Sequence, residues 1–268
     1  MKALLKPLQW IYCIYAFIIF VVIMLLIFPF VIMASFFGRI KGGNMIIRLC
    51  MLWADCWFPL IFIWPRRIYE VPHDKSRPYI FISNHISYID AAVLVKAYRQ
   101  PIRPLGRIEM SQVPVFGFIY RNAIVTVDRS IAIKRAKSVR VLKSVILKGI
   151  SVVVFPEGTF NMTNKPLKEF YDGAFRVAIE TQTPVKPVLF LDTYDRMHHR
   201  SVFSMTPGKC RIIYLDEISV DGLSVADVNA LKEKAFIIMK NKLIEYKASW
   251  LNTPPLNLPQ GETLNPDS

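Results

Sequence analysis

His85 and Asp90 stand five positions apart in Tyr79-Ile-Phe-Ile-Ser-Asn-His-Ile-Ser-Tyr-Ile-Asp90. Together their side chains can move a proton. A carboxylate on one imidazole nitrogen leaves the other free as a general base near neutral pH. On one continuous helix, five positions turn through about 500°, so the two side chains would diverge. They meet only if His85 sits on a turn and Asp90 in the first helical turn. The plainer reading is a helix start, because Ser87-x-x-Asp90 is close to a capping box and a first-turn Asp suits the macrodipole. A second constellation, Pro156-Glu-Gly-Thr159, follows the apolar run Val152-Val-Val-Phe155. Pro and Gly fix a tight turn there, and Glu157 presents a carboxylate. On its own, this is equally a structural turn with an exposed Glu.

The elements around these residues must place them. Residues 79–82, short, apolar and rich in aromatic and β-branched side chains, predict a buried strand, and a helix follows from Ser87 to about Tyr98. Further strands are predicted at 124–127, 152–155, 183–190 and 210–215, alternating with helical patterns. Residues 129–155 hold seven basic side chains and no acidic one. Ile133, Ala136, Leu142, Val145 and Ile146 give them an apolar helical stripe, with a solvated basic face opposite. Ser224-x-x-Asp227 caps a long helix carrying Val228, Leu231, Ala235, Ile238 and Tyr246. His198 and His199, with no acidic or Cys partner pattern nearby, read as surface residues.

The 34 Lys and Arg against 20 Asp and Glu give a net charge of +14, which suits anionic partners. An apolar fraction of 53% tips the choice toward membrane. Residues 11–37 carry no charge over 27 positions, about 40 Å as a helix against roughly 30 Å of bilayer core. Basic residues flank both ends, favouring a tilted or re-entrant helix with both ends on the cytoplasmic side. Residues 44–64, interrupted by Arg48 and Asp55 and bearing Trp53, Trp57 and Trp64, predict a helix lying at the interface rather than a second span, with a core-packed helix as the alternative. Cys13, Cys50, Cys56 and Cys210 show neither a disulfide framework nor a zinc spacing. The expected organisation is membrane-anchoring helices at 1–64, an α/β domain at 65–250 with a mixed sheet surrounded by helices, and a disordered tail at 251–268.

Taken in order, Asn84-His85 with Asp90, Pro114-x-Phe-Gly117 with Arg129, Phe155-Pro-Glu-Gly-Thr159 and Val185-Lys-Pro-Val188 resemble the glycerolipid acyltransferase family, of the 1-acyl-glycerol-3-phosphate acyltransferase type. The likeness covers roughly residues 79–191 and includes Phe170-x-x-Gly-Ala174. It implies catalysis by His85 and Asp90 and phosphate contact from Arg107 and Arg129. It further implies substrate contacts from Asn84, Glu157, Gly158 and Thr159. Arg107 stands where many members have Lys, Ala123 replaces a frequent Gly, and Phe160 follows Glu-Gly-Thr where many have a basic residue.

The implied reaction carries a fatty acyl group from a thioester, on CoA or acyl-carrier protein, to the free hydroxyl of lysophosphatidate, giving phosphatidate. No metal, resident cofactor or nucleic acid is expected, and the catalytic domain is expected on the cytoplasmic membrane face. Phe160 keeps a lyso-aminolipid open as the acceptor. An inactive membrane-binding lipid carrier is the alternative outside enzymes. A serine hydrolase would need a Gly-x-Ser-x-Gly elbow, which the chain lacks.

Overall fold

A computed structural model describes residues 2–127 and 132–252. Chain order runs through helices α1 (Lys2–Ser35) and α2 (Gly43–Leu60), strands β1 (Ile63–Tyr69) and β2 (Ile80–Ile82), and helix α3 (Asp90–Ala97). Next come β3 (Ile102–Arg107), α4 (Phe116–Ala123), β4 (Val125–Val127), α5 (Ala132–Ile146) and β5 (Ser151–Val154). The chain continues with α6 (Gly173–Glu180), β6 (Val185–Phe190), a short α7 (Thr193–Arg196), β7 (Gly208–Tyr214) and α8 (Val228–Glu245). Seven strands form one sheet in the order β1-β7-β6-β2-β5-β3-β4. The five from β6 to β4 are mutually parallel, whereas β7 runs antiparallel to β6 and β1 follows β7. The sheet is therefore mixed and the fold α/β.

Alternation along the strands sends side chains to two separate apolar layers. Ile80, Ile82, Val152 and Val154 face α5, α6 and α8, represented by Leu142, Phe175 and Leu231. Phe81, Val153 and Ile102 face α1 to α4, through Trp57, Val93 and Ile119. With helices on both faces, the central strands are apolar on both sides, as a parallel sheet requires.

The N-terminal helices form an antiparallel hairpin. Tyr12 and Trp57 donate to the carbonyls of Ile61 and Ala16, and Trp53 donates to Phe20. Gly42, in the π-helical turn Gly38–Gly42, lies against Ala34. The expectation for residues 44–64 is corrected here. Trp53 and Trp57 are buried between α1 and the sheet rather than spread at an interface. Asp55 pairs with Lys96 of α3 and with Arg99 just beyond that helix. Trp64 alone of the three is exposed, and it belongs to β1. The boundary drawn at residue 64 falls inside that strand, and α1 and α2 share a core with the sheet.

Arg103 of β3 is buried and donates to the carbonyls of Arg39 and Ile40 at 3.1 Å each, tying the hairpin turn to the sheet. A Cβ on Gly43 would strike that guanidinium.

Candidate active site

Because β2, β5, β3 and β4 are parallel neighbours, their carboxyl ends lie along one edge. His85, Pro156-Glu-Gly-Thr159 and Arg107 all follow or end those strands, so topology alone gathers them there. β2 continues toward β3 on one side, and β5 toward β6 on the other. The crevice between β2 and β5 is thus a topological switch point, where open α/β sheets bind ligands.

His85 sits on the turn after β2, and Asp90 opens α3. His85 Nδ1 and Asp90 Oδ2 are 2.8 Å apart, with the carboxylate fully buried. The same oxygen accepts the backbone N–H groups of Ile86 and Ser87, each at 2.8 Å. Those bonds fold the chain so that five positions bring the two side chains together. The expected cap is revised in detail: α3 begins at Asp90, and the Ser87 hydroxyl donates to the Met197 carbonyl while accepting the Ile89 N–H. A carboxylate on Nδ1 fixes the tautomer with the proton there and leaves Nε2 as the basic nitrogen. Nε2 has no protein partner among the described residues, and the His85 side chain is 20% exposed.

Glu157 departs from expectation. It is 2% exposed, with Oε1 accepting the His85 backbone N–H and Oε2 that of Lys168, both at 2.9 Å. Its two oxygens thus bind the His85 turn to the segment before α6. Burial pushes its carboxyl up to about 7, against the pull of those two N–H donors. Gly158 has φ +76° and donates to the Phe155 carbonyl, closing a turn that a side chain would strain. Thr159 is exposed, and its hydroxyl accepts from Lys168 Nζ at 2.6 Å.

Asn84 is also corrected. Both ends of its buried amide are used by Phe190, through Nδ2 to the carbonyl and N–H to Oδ1, at 2.9 Å each. It clamps the end of β2 to β6 and has no end turned to a ligand. Arg107 ends β3 in the open, 3.4 Å from Glu109. Arg129 lies outside the described residues.

Several contributors had no role assigned from sequence. Phe155 stacks on the His85 ring at 4.1 Å between centroids, and Phe160 lies against it at 4.3 Å. Tyr88 meets Phe160 edge-on at 4.9 Å. Phe160, notable in the sequence only as a missing positive charge, is thus part of an aromatic wall around the imidazole. His198 and His199 are half-buried rather than surface residues, and burial lowers the pKa of both. His198 bridges to Ser87, docking the segment after α7 on the His85 turn. In Pro114-Val-Phe-Gly117, Val115 takes φ 61° and ψ −61°, a γ-turn in which Phe116 N–H meets the Pro114 carbonyl at 2.6 Å. Gly117 lies where a Cβ would strike the Ser111 carbonyl.

Residues 66–191 match the family model described as Acyltransferase. An uncharacterised acyltransferase of Schizosaccharomyces pombe is 27% identical over 177 residues, 64% of this chain and 62% of that protein. The 1-acyl-sn-glycerol-3-phosphate acyltransferase alpha of Mus musculus is 28% identical over 204 residues, 73% of this chain and 68% of its own. The human counterpart is 26% identical over 202 residues, covering 74% and 69%. The match thus spans less than two thirds of the fission-yeast protein and just over two thirds of the mammalian ones. The crystal structure of the 1-acyl-sn-glycerophosphate (LPA) acyltransferase PlsC from Thermotoga maritima has the same fold, with a TM-score of 0.71 at 21% identity over 93% of this chain and 99% of that one. Residues 66–191 thus form an acyltransferase-family segment, and the chain around them is similar to 1-acyl-sn-glycerol-3-phosphate acyltransferases.

Proposed function

We propose that this chain transfers a fatty acyl group from an acyl thioester to the free hydroxyl of lysophosphatidate, forming phosphatidate at a membrane. The observation that carries the reading is the 2.8 Å contact between His85 Nδ1 and buried Asp90, which orients Nε2 as a base. An unassisted hydroxyl is a poor nucleophile at neutral pH. Nε2 takes its proton as the oxygen attacks the thioester carbonyl carbon. The resulting imidazolium is stabilised by Asp90, in the manner of other His–carboxylate pairs. The tetrahedral intermediate collapses with cleavage of the C–S bond, and the imidazolium returns the proton to the departing thiolate. The acceptor supplies the attacking oxygen, so no enzyme nucleophile is required.

Phe155 stacks on the imidazole and Phe160 lies tilted against it, so the base works in an apolar setting suited to lipid tails. Arg107, and Arg129 beyond β4, supply positive charge for the phosphate. The donor is a CoA or acyl-carrier-protein thioester, and the residues described require no resident cofactor or metal for these steps. α1 supports the membrane setting: within residues 6–35 the most apolar 18-residue window has a mean hydropathy of 3.2, and only 17% of it is buried. By length and composition it can cross a bilayer. The anchor holds the site beside the lipid phase, with the catalytic domain on the cytoplasmic side.

His85→Ala is expected to fold and bind vesicles like the parent while transfer falls by about 10²–10⁴. Labelled-thioester assays with purified protein check this, and substantial residual turnover would rule out the base. A lyso-aminolipid acceptor is favoured by one observation, the aromatic Phe160 over His85 where a cation would suit a phosphate. Parallel incubation with each lyso-lipid separates the two.

A further inference from the structure

Phe160 leaves the turn after β5 without a cation of its own, yet a positive charge reaches that turn from further along the chain. Lys168 Nζ donates to the Thr159 hydroxyl at 2.6 Å, one residue from the ring that lies on His85. No carboxylate forms an ion pair with Lys168 among the described residues; Glu157, the nearby acid, is bonded to its backbone N–H instead. An ammonium has three donors, so two remain after Thr159 is served. Thr159 accepts that bond and keeps its own O–H to donate. The exposed hydroxyl and the ammonium bonded to it thus present one positive charge and several donors beside the His85 turn. Arg107, the other described candidate, already has an acidic neighbour in Glu109.

We infer that Lys168, seated on Thr159, is the specificity-determining cation for the acceptor, recognising a phosphate monoester head while Phe160 walls off His85. In a glycerol phosphate the reacting hydroxyl and the phosphorus are separated by two carbons and an ester oxygen. The head therefore belongs beside the imidazole rather than on it, and Thr159 adjoins Phe160, whose ring lies against the imidazole. A dianionic head takes charge-assisted bonds from the ammonium and a further bond from the hydroxyl. A lyso-aminolipid, whose ammonium Lys168 repels, is disfavoured. This inference rests on the acyl-transfer reading and adds Lys168 to the cations, Arg107 and Arg129, that the reading gives the phosphate, as the one that selects the acceptor.

The test uses Lys168→Met, because any residue except proline keeps the backbone N–H that holds Glu157. Transfer is measured in neutral detergent micelles with lysophosphatidate and with a monoacylglycerol of the same chain. Lys168→Met should raise KM for lysophosphatidate about 10- to 100-fold, the scale of a lost charge-assisted bond, with kcat nearly unchanged. The preference for lysophosphatidate over monoacylglycerol should shrink by the same factor. Lys168→Arg should restore most of it, and Thr159→Val should lose part. Lys165→Met removes the same net charge from an exposed position nearby and should change nothing. An unaltered KM in Lys168→Met, or an equal loss with both acceptors, overturns the assignment. A parent protein that acylates neither acceptor would instead sink the acyl-transfer reading.

Discussion

One carboxylate oxygen, Asp90 Oδ2, receives the His85 imidazole and two backbone N–H groups, all at 2.8 Å. The dyad and the shape of its turn are therefore one construction, and the pair meets without sharing a helix. Glu157 plays the complementary part from the other side, where burial rather than charge pairing dominates. Its carboxyl is pushed up to about 7, above an ordinary value of 4.5. Between those two values the native state holds more of that proton than the unfolded chain does, so unfolding free energy falls as pH rises through the window. The contribution is complete below about pH 4.5 and gone above about pH 7, a span on the order of 3 kcal/mol at 1.36 kcal/mol per unit. Thermal unfolding of the parent and Glu157→Gln from pH 5 to 8 should diverge, with only the parent losing this part of its stability. Parallel pH profiles would show that Glu157 does not titrate there.

At the scale of elements, legibility followed the period of the side chains. β2, β5, β6 and β7 were readable because apolar runs of strand length are unambiguous once bounded by turns. β1 was not, since Pro65, Arg66 and Arg67 look like a boundary. Yet β1 is an edge strand, where proline and charge are tolerated. β3 was hidden by Arg103, whose burial makes sense only with the Arg39 and Ile40 carbonyls, more than sixty positions away. Asn84 misled for the same reason. A polar side chain beside a catalytic histidine suggests substrate, and its partner in β6 is 106 positions along the chain. His85 and Asp90 were legible because their spacing is local. Phe160 and Lys168 were not, because their contacts depend on how the turn after β5 returns over β2. Asn84→Ala is accordingly expected to strip both bonds from Phe190 and cost about 2–3 kcal/mol, a drop of roughly 4–12 °C in Tm. Unchanged stability with a raised acceptor KM would return Asn84 to the substrate site.

The whole molecule poses the question of what holds it to lipid. Two candidates coexist: the outward face of α1 and a net charge of +14. They differ in salt response, because surface electrostatics is screened within about 10 Å at 0.1 M and apolar insertion is not. α1 does not project as a free tail. Beyond the hairpin with α2, Gln9 and Cys13 donate to the Met205 carbonyl, and Trp10 meets Phe203. The segment beginning at Met197 in turn docks on Ser87 of the His85 turn. As the proposed anchor, a helix packed this way would fix the height of the imidazole relative to the lipid surface, which a flexible tether cannot do. Ile18 and Leu25, seven positions apart and about half exposed, lie on one stripe of α1 turned from the protein. Changing both to Glu costs the sheet no contact, but each buried acid disfavours insertion by about 3 kcal/mol at a helix centre. The double variant should therefore fold like the parent and fail to float with neutral vesicles at 1 M salt. It should keep partial binding to anionic vesicles at low salt and lose transfer to vesicle-borne acceptor while retaining it in micelles. Flotation at high salt as strong as the parent's would remove α1 as the anchor and leave the basic surface to account for membrane binding.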